Sequence, residues 1–153
     1  MAGSGGRGGL EGTHALADLA ATHALAARLA DALVGGETVE LVGELGAGKT
    51  AFTKALASAL GVPDAYRAVT SPTFGLHHRY EGGRLVVDHT DAYRLRGGDD
   101  FAALDLVASH GRHAVLVVEW ADRVRDELPF PRWTVALAVA PGGGRVATVA
   151  WSG

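Results

Sequence analysis

The sequence contains no cysteine, which excludes disulfide bonds, thiolate metal sites and a cysteine nucleophile. Although 48% of its 153 residues are hydrophobic, no apolar run approaches the roughly 20 residues that a membrane-spanning helix needs. The first residues lack the charged, apolar and cleavage-site pattern of a secretory signal. We therefore expect a cytoplasmic protein with no membrane segment, long enough to form one domain with a buried core.

The chain also lacks an excess of positive charge. Its 14 basic and 17 acidic residues leave a formal charge of −3. This balance argues against a large nucleic-acid-binding surface of the chain's own, because such surfaces are usually basic.

Glycine is abundant, with 22 residues, and six of them lie within Met1–Gly12. That stretch has almost no apolar content, so we expect a flexible tail over residues 1–12 followed by a single domain over residues 13–153. Most of the other glycines mark turns between periodic segments.

The first half of the chain predicts alternating helices and strands. Alanines and leucines over Ala15–Leu33 favour a helix, although Thr13–Asp18 could instead be a short strand with Asp18 as the N-cap. A β-prone run at 38–42 and a helical pattern at 49–60 follow, and residues 64–73 have no period and predict a loop.

The second half is richer in strands. Strands are expected at 74–80 and 84–89, joined by a turn at 81–83, and a helix is expected at 99–109. The apolar run Ala114–Val118 is typical of a strand buried on both faces. A hairpin over 133–140 and 145–151 ends the chain. The pattern predicts an α/β protein with a mainly parallel central sheet and antiparallel additions.

One motif carries chemistry by itself. Residues 43–50 (GELGAGKT) match G-x-x-x-x-G-K-[ST] between a predicted strand and a predicted helix. Backbone N–H groups at such a helix start bind phosphates, Lys49 supplies charge for the β and γ phosphates, and the Thr50 hydroxyl can ligate Mg²⁺. The motif predicts a three-layer α/β/α fold of the P-loop NTPase class, with a nucleotide held by Glu44, Leu45, Gly46, Ala47, Gly48, Lys49 and Thr50.

The nucleotide and the metal partner are less directly encoded. Guanine-binding members of this class usually carry an Asn-Lys-x-Asp stretch, and the sequence has no asparagine, so ATP is favoured over GTP. A carboxylate near the metal is expected at the end of a neighbouring strand. Glu119 ends the most apolar strand and is the better candidate; Asp91 is the second. Asp88 is expected to face solvent.

Two further features, the Ser71-Pro72-Thr73 segment and the histidines, indicate function less strongly on their own. Ser71-Pro72-Thr73 follows the P-loop helix, where a switch segment often contacts the γ-phosphate, but it could equally be an ordinary turn. The seven histidines do not have metal-site spacing, since His77 and His78 lie on opposite faces of a strand. His89 stands out because it shares a strand face with Asp91.

Taken together, four motifs resemble the bacterial TsaE (YjeE) family. They are Glu44–Thr50, Thr70-Ser71-Pro72-Thr73-Phe74, His89-Thr90-Asp91-Ala92-Tyr93-Arg94-Leu95 and Val118-Glu119-Trp120, in this order. The family's members are the ATPase component of the machinery that makes N6-threonylcarbamoyladenosine in certain tRNAs, acting with the proteins TsaB and TsaD. The resemblance covers about residues 13–140 and thus implies an ATPase that meets tRNA mainly through its partners.

The resemblance also implies residue roles. Thr50 and Glu119 would contact Mg²⁺ and Asp91 would support the metal and its water, with Lys49, Glu119 and Asp91 as the catalytic set. The switch would be Ser71–Phe74, and His89, Tyr93 and Arg94 would shape the wall of the site. Trp120 would pack beside the nucleotide, and the adenine would lie near Asp18–Thr22.

Two rival functions remain open on the sequence. A small-molecule kinase of the same fold would need an arginine-bearing lid, for which Arg94–Gly98 is short. A nucleotide-dependent binding module would hydrolyse ATP only incidentally.

Overall fold

The computed structural model describes residues 8–44, 46–70, 77–92, 112–129 and 131–153. Its strands are β1 (Gly12–Leu16), β2 (Thr38–Val42), β3 (His77–Tyr80), β4 (Val86–Asp91), β5 (Ala114–Glu119), β6 (Arg132–Val139) and β7 (Arg145–Ser152). Its helices are α1 (Leu19–Ala32), α2 (Lys49–Ala59) and α3 (Ala65–Ala68), with 3₁₀ turns at Ala121–Arg123 and Arg125–Glu127.

The strands form one seven-stranded sheet in the order β1-β7-β6-β2-β5-β4-β3. The four central strands, β6, β2, β5 and β4, run parallel to one another. Antiparallel pairing adds β7 and β1 at one edge and β3 at the other. This confirms the predicted α/β class with a mainly parallel centre and antiparallel additions. The predicted helix at 99–109 lies outside the described residues.

The core lies on both faces of the sheet. On one face α1 and α2, including Phe52 of α2, pack over sheet residues such as Val39, Leu41 and Trp133, all fully buried. A second, smaller cluster on the opposite face joins β5 to the 3₁₀ turns through Leu116, Val118, Ala121, Val124 and Leu128. Full burial of each large apolar side chain contributes about 1.5–3 kcal/mol. Both clusters include residues of β5, so this strand is buried on both faces, as its apolar run predicts.

The start of α1 follows the alternative expectation. Residues 12–16 form β1, which pairs with β7, and the helix begins only at Leu19. The Asp18 carboxylate accepts a hydrogen bond from the Ala21 backbone N–H, which satisfies one of the free donors at the helix start. Alanine-rich sequence does not reveal this boundary, because pairing with the distant strand β7 overrides local helix propensity.

Residues 8–12 differ from the expected tail. Leu10 is 1% exposed and belongs to the core. Its carbonyl accepts a hydrogen bond from His14, and the Gly9 carbonyl accepts one from Arg28. A single buried leucine among glycines therefore anchors this stretch, and only residues 1–7 of the predicted tail lie outside the described part of the chain.

Two other expectations were wrong. The stretch at 64–73 contains the helical turn α3, which is too short to show a period in sequence. Asp88 is 1% exposed instead of facing solvent, because side chains of the neighbouring strand β3, His77 and Arg79, lie against its carboxylate. Its carboxylate lies 3.0 Å from His77 Nε2 on the neighbouring strand.

Candidate functional site

The predicted phosphate loop connects the end of β2 to the start of α2. Gly48 is the N-cap of α2 and adopts a left-handed conformation with φ of 104°. The first N–H groups of a helix have no partner within the helix, and they carry the positive end of the helix dipole. The loop thus presents an anion-binding helix start at the sheet edge. Leu45 lies outside the described residues.

Gly43 has a separate structural task. A Cβ at this position would lie 2.4 Å from the Leu137 carbonyl oxygen of β6. The loop therefore leaves β2 in direct contact with the neighbouring strand, which only glycine permits. At Gly46 and Gly48 a Cβ would meet nothing within 4 Å, and their positive φ angles explain the glycines instead.

Lys49 points back over its own loop. Its Nζ donates hydrogen bonds to the carbonyl oxygens of Gly43, at 2.6 Å, and Glu44, at 2.9 Å. The ammonium also lies 4.2 Å from the centre of the Trp120 ring, a cation–π arrangement. Burial lowers the Lys49 pKa below its usual 10.5, against the opposing charges of Glu119, Asp91 and Asp122.

Two acids come together beside this lysine. Asp91 at the end of β4 and Glu119 at the end of β5 are directly paired across the parallel strands. Glu119 is 2% exposed, and its Oε1 lies 3.3 Å from the Thr50 hydroxyl, which donates to it. The structure therefore brings together Lys49, Thr50, Asp91 and Glu119, as expected from strands that end at one sheet edge.

These side chains surround a cavity of about 310 Å³, called here the loop cavity. It is lined by Gly46, Gly48, Lys49, Thr50, Ala51, Asp91, Glu119 and Trp120. Trp120 adopts a left-handed backbone conformation with φ of 57°, which is uncommon for a bulky residue. This turn directs the chain away from β5 immediately after Glu119 and puts the indole at the cavity wall.

A second cavity, called here the hairpin cavity, adjoins the first and shares Gly48 and Ala51 with it. It measures about 350 Å³ and is lined by Leu16, Ala17, Asp18, Leu19, Thr22, Ala47, Gly48, Ala51, Leu137, Gly144 and Arg145. The resemblance implies that the adenine lies near Asp18–Thr22, and Asp18, Leu19 and Thr22 of that range line this cavity. Leu137, Gly144 and Arg145 were missed, because their only sequence signal is the terminal hairpin.

His89 lies behind the loop cavity and not in its lining. The ring is fully buried, and Nε2 lies 2.6 Å from Glu119 Oε2. Six other predicted site residues lie outside the described residues: Ser71, Pro72, Thr73, Phe74, Tyr93 and Arg94.

No group of three or more histidine or acidic side chains suited to a metal ion occurs in the described ranges. The side-chain oxygen atoms at the loop cavity come instead from the Thr50 hydroxyl and the Asp91 and Glu119 carboxylates. Hydroxyl and carboxylate oxygens suit Mg²⁺, which keeps several waters and phosphate oxygens in its shell and needs few protein ligands.

Comparison with known proteins identifies the family of this chain. The family model for the threonylcarbamoyl adenosine biosynthesis protein TsaE matches residues 16–145. The chain belongs to the TsaE family. The match spans all the lining residues of both cavities.

Individual relatives support the family assignment. The tRNA threonylcarbamoyladenosine biosynthesis protein TsaE of Treponema pallidum is 43% identical over 115 residues, covering 75% of this chain and 82% of its own. That of Streptomyces coelicolor is 44% identical over 121 residues, covering 77% and 79%. The crystal structure of Bacillus subtilis YdiB superposes with a TM-score of 0.72 at 32% identity, covering 92% of this chain and 85% of that one.

Membership in the TsaE family assigns the chain to tRNA threonylcarbamoyladenosine biosynthesis. The fold of the structural relative is consistent with the predicted P-loop NTPase class. None of the helices in the described ranges is long and apolar enough to cross a membrane.

Proposed function

We propose that this TsaE-family protein is a Mg²⁺-dependent ATPase that hydrolyses ATP to ADP and phosphate in support of tRNA threonylcarbamoyladenosine formation. The observation that carries the proposal is the hydrogen bond beside the phosphate loop from the Thr50 hydroxyl to Glu119 Oε1, at 3.3 Å. In P-loop NTPases a loop hydroxyl and a strand-end carboxylate together serve the metal of the nucleotide.

The two adjoining cavities fit the two ends of ATP. The loop cavity offers a helix N-terminus and Lys49 for the phosphates. The hairpin cavity, with apolar walls from Leu16, Leu19 and Leu137, offers room for a base. Because Gly48 and Ala51 line both, a single ligand can occupy the two at once.

The residues present also fit Mg²⁺. Thr50 and Glu119 would hold the ion, with Asp91 supporting it from the neighbouring strand. The bound ion supplies neutralisation of phosphate charge and orientation of the triphosphate.

The chain's own residues would contribute positioning and charge. The loop amides bind the phosphates, and Lys49 exchanges the carbonyls of Gly43 and Glu44 for phosphate oxygens. Before a nucleotide binds, Lys49 is therefore already held at the loop by these two carbonyls. Because it is buried, its attraction to an anion is less weakened by water. Glu119 would orient the water that attacks the γ-phosphate in line with the leaving ADP.

ATP is proposed over GTP, and the partners are proposed to be TsaB and TsaD. The net charge of −3 supports a division of labour in which partner proteins hold most of the tRNA. We expect slow ATP hydrolysis by the isolated chain and faster or productive turnover in the complex.

The proposal is tested by phosphate release from ATP with no other acceptor, with and without Mg²⁺. Hydrolysis that needs Mg²⁺ and is lost in Lys49→Ala supports an ATPase, whereas turnover that requires a small-molecule acceptor indicates a kinase. Lys54→Ala is the matched control, since Lys54 is the chain's other lysine and its Nζ bonds the Tyr66 carbonyl.

A second assay addresses the pathway. Reconstituted tRNA threonylcarbamoylation with TsaB and TsaD is expected to depend on this chain and to fail with Lys49→Ala. If Glu119→Ala still binds ATP and still supports the full reaction, the chain is a nucleotide-dependent binding module and its hydrolysis is incidental.

A further inference from the structure

Glu119 contacts a buried histidine, His89, that does not line the loop cavity. We propose that His89 is a positioning residue whose Nε2–H fixes one oxygen of Glu119 so that the other faces Thr50 and the loop cavity. This inference rests on the proposed function, because it assigns His89 a task in organising the metal and water site.

The two oxygens of Glu119 have different partners. Oε2 lies 2.6 Å from His89 Nε2, and Oε1 lies 3.3 Å from the Thr50 hydroxyl. A carboxylate oxygen can only accept, so the ring nitrogen donates. A glutamate side chain has three rotatable bonds, and a hydrogen bond to one oxygen determines the direction in which the other points.

Burial makes this contact strong. The His89 side chain is 0% exposed and that of Glu119 is 3% exposed. Water competes little at such depth, and a buried carboxylate without donors would be costly. His89 therefore both stabilises the buried carboxylate and orients it.

The ring itself is held by packing. The Tyr80 ring lies 6.2 Å from the His89 ring, centre to centre. The Tyr80 hydroxyl donates to the Thr70 carbonyl and accepts from the Thr70 N–H, each at 3.3 Å. His89 thus packs against Tyr80, whose hydroxyl is hydrogen-bonded to the backbone of Thr70.

His89 makes only one polar contact in the described part of the chain. Its Nδ1 is buried and has no hydrogen-bond partner there. The single contact, made to the end of β5, points to orientation of Glu119. Partners of this kind behind a metal ligand change metal affinity or activity by about 10–100-fold.

Paired amide substitutions test this. In His89→Gln the amide nitrogen reaches about the position of Nε2, whereas in His89→Asn the same group stops near Nδ1. The readouts are kcat and KM for ATP hydrolysis and, separately, Mn²⁺ affinity in the presence of ADP by electron paramagnetic resonance. His77→Asn is the control, because His77 contacts Asp88 on the opposite face of β4.

We expect His89→Asn to lower kcat and Mn²⁺ affinity by about 10-fold or more with little change in KM. His89→Gln is expected to recover most of both, and His77→Asn to alter neither. Equal behaviour of the Gln and Asn variants, or an Asn variant matching the unsubstituted protein, overturns the proposal.

A measurement on the unsubstituted chain covers the case in which His89→Asn does not fold. Long-range ¹H–¹⁵N NMR is expected to find a hydrogen on His89 Nε2, and its absence overturns the proposal. If the unsubstituted protein shows no Lys49-dependent hydrolysis, the proposed ATPase fails, while Mn²⁺ affinity and the NMR result still decide the role of His89.

Discussion

The Thr50 hydroxyl donates a hydrogen bond to the Glu119 carboxylate, although the two residues are 69 positions apart in the chain. Thr50 lies in the first turn of α2 and Glu119 is the last residue of β5. The contact joins the phosphate loop to the neighbouring parallel strand. Under the proposed function, this is the place where charge on a nucleotide would be neutralised.

Glu119→Gln keeps the shape of the side chain and removes its charge. We expect ATP turnover to fall by about 100-fold or more, because the water is no longer oriented by a carboxylate. ATP binding is expected to persist, since the loop and Lys49 are untouched. Phosphate release and calorimetric ATP binding measure the two effects, and the exposed Glu81→Gln is the control. Turnover unchanged in Glu119→Gln would contradict the assignment.

The affinity for ATP is expected to fall as the pH rises toward 10.5. Burial lowers the Lys49 pKa, so its positive charge is lost at a lower pH than in an ordinary lysine, and only the charged form attracts phosphate. The neighbouring acids Glu119, Asp91 and Asp122 oppose this shift but do not cancel it.

Binding of a fluorescent ATP analogue across alkaline pH measures this loss. Lys49→Met should bind weakly with little dependence on pH in that range, while Lys54→Met should keep the dependence of the unsubstituted protein. A pH dependence that survives in Lys49→Met would show that another group is responsible.

Gly43→Ala is expected to destabilise the fold more than Gly46→Ala. A Cβ at Gly43 would lie 2.4 Å from the Leu137 carbonyl, whereas one at Gly46 would meet nothing within 4 Å. Both positions carry positive φ strain, but only Gly43 adds overpacking, which costs about 1–3 kcal/mol. Denaturant unfolding compares the two variants, and equal stabilities would contradict the close approach.

Thr134→Val is expected to lower the free energy of unfolding by about 1–3 kcal/mol. The Thr134 hydroxyl donates to the carboxylate of Glu40, which is 1% exposed. Arg132 and Arg125 lie 3.5 Å and 3.7 Å from the other oxygen of that carboxylate and do not replace this bond. Thr148→Val, an exposed position paired with Ala136, is the matched control in thermal unfolding.

Much of the site could be predicted from local sequence. The phosphate loop is a continuous motif flanked by a strand and a helix, and Glu119 ends a run of apolar residues. Parallel strands end at one edge of a sheet, so the phosphate loop and Glu119 are predicted to lie close together. Lys49, Thr50, Asp91 and Glu119 were therefore identified correctly as neighbours.

The sequence by itself determined the loop, the central strands and the order of elements, because each is encoded by residues close together in the chain. Only the tertiary structure decided that Asp88 is buried, that β1 pairs with β7, and that Gly144 and Arg145 line a cavity with Leu16. It also decided that His89 contacts Glu119. Strand periodicity defines the face on which a side chain lies, whereas its partners depend on which strand becomes the neighbour, and that choice is made by packing of the whole sheet.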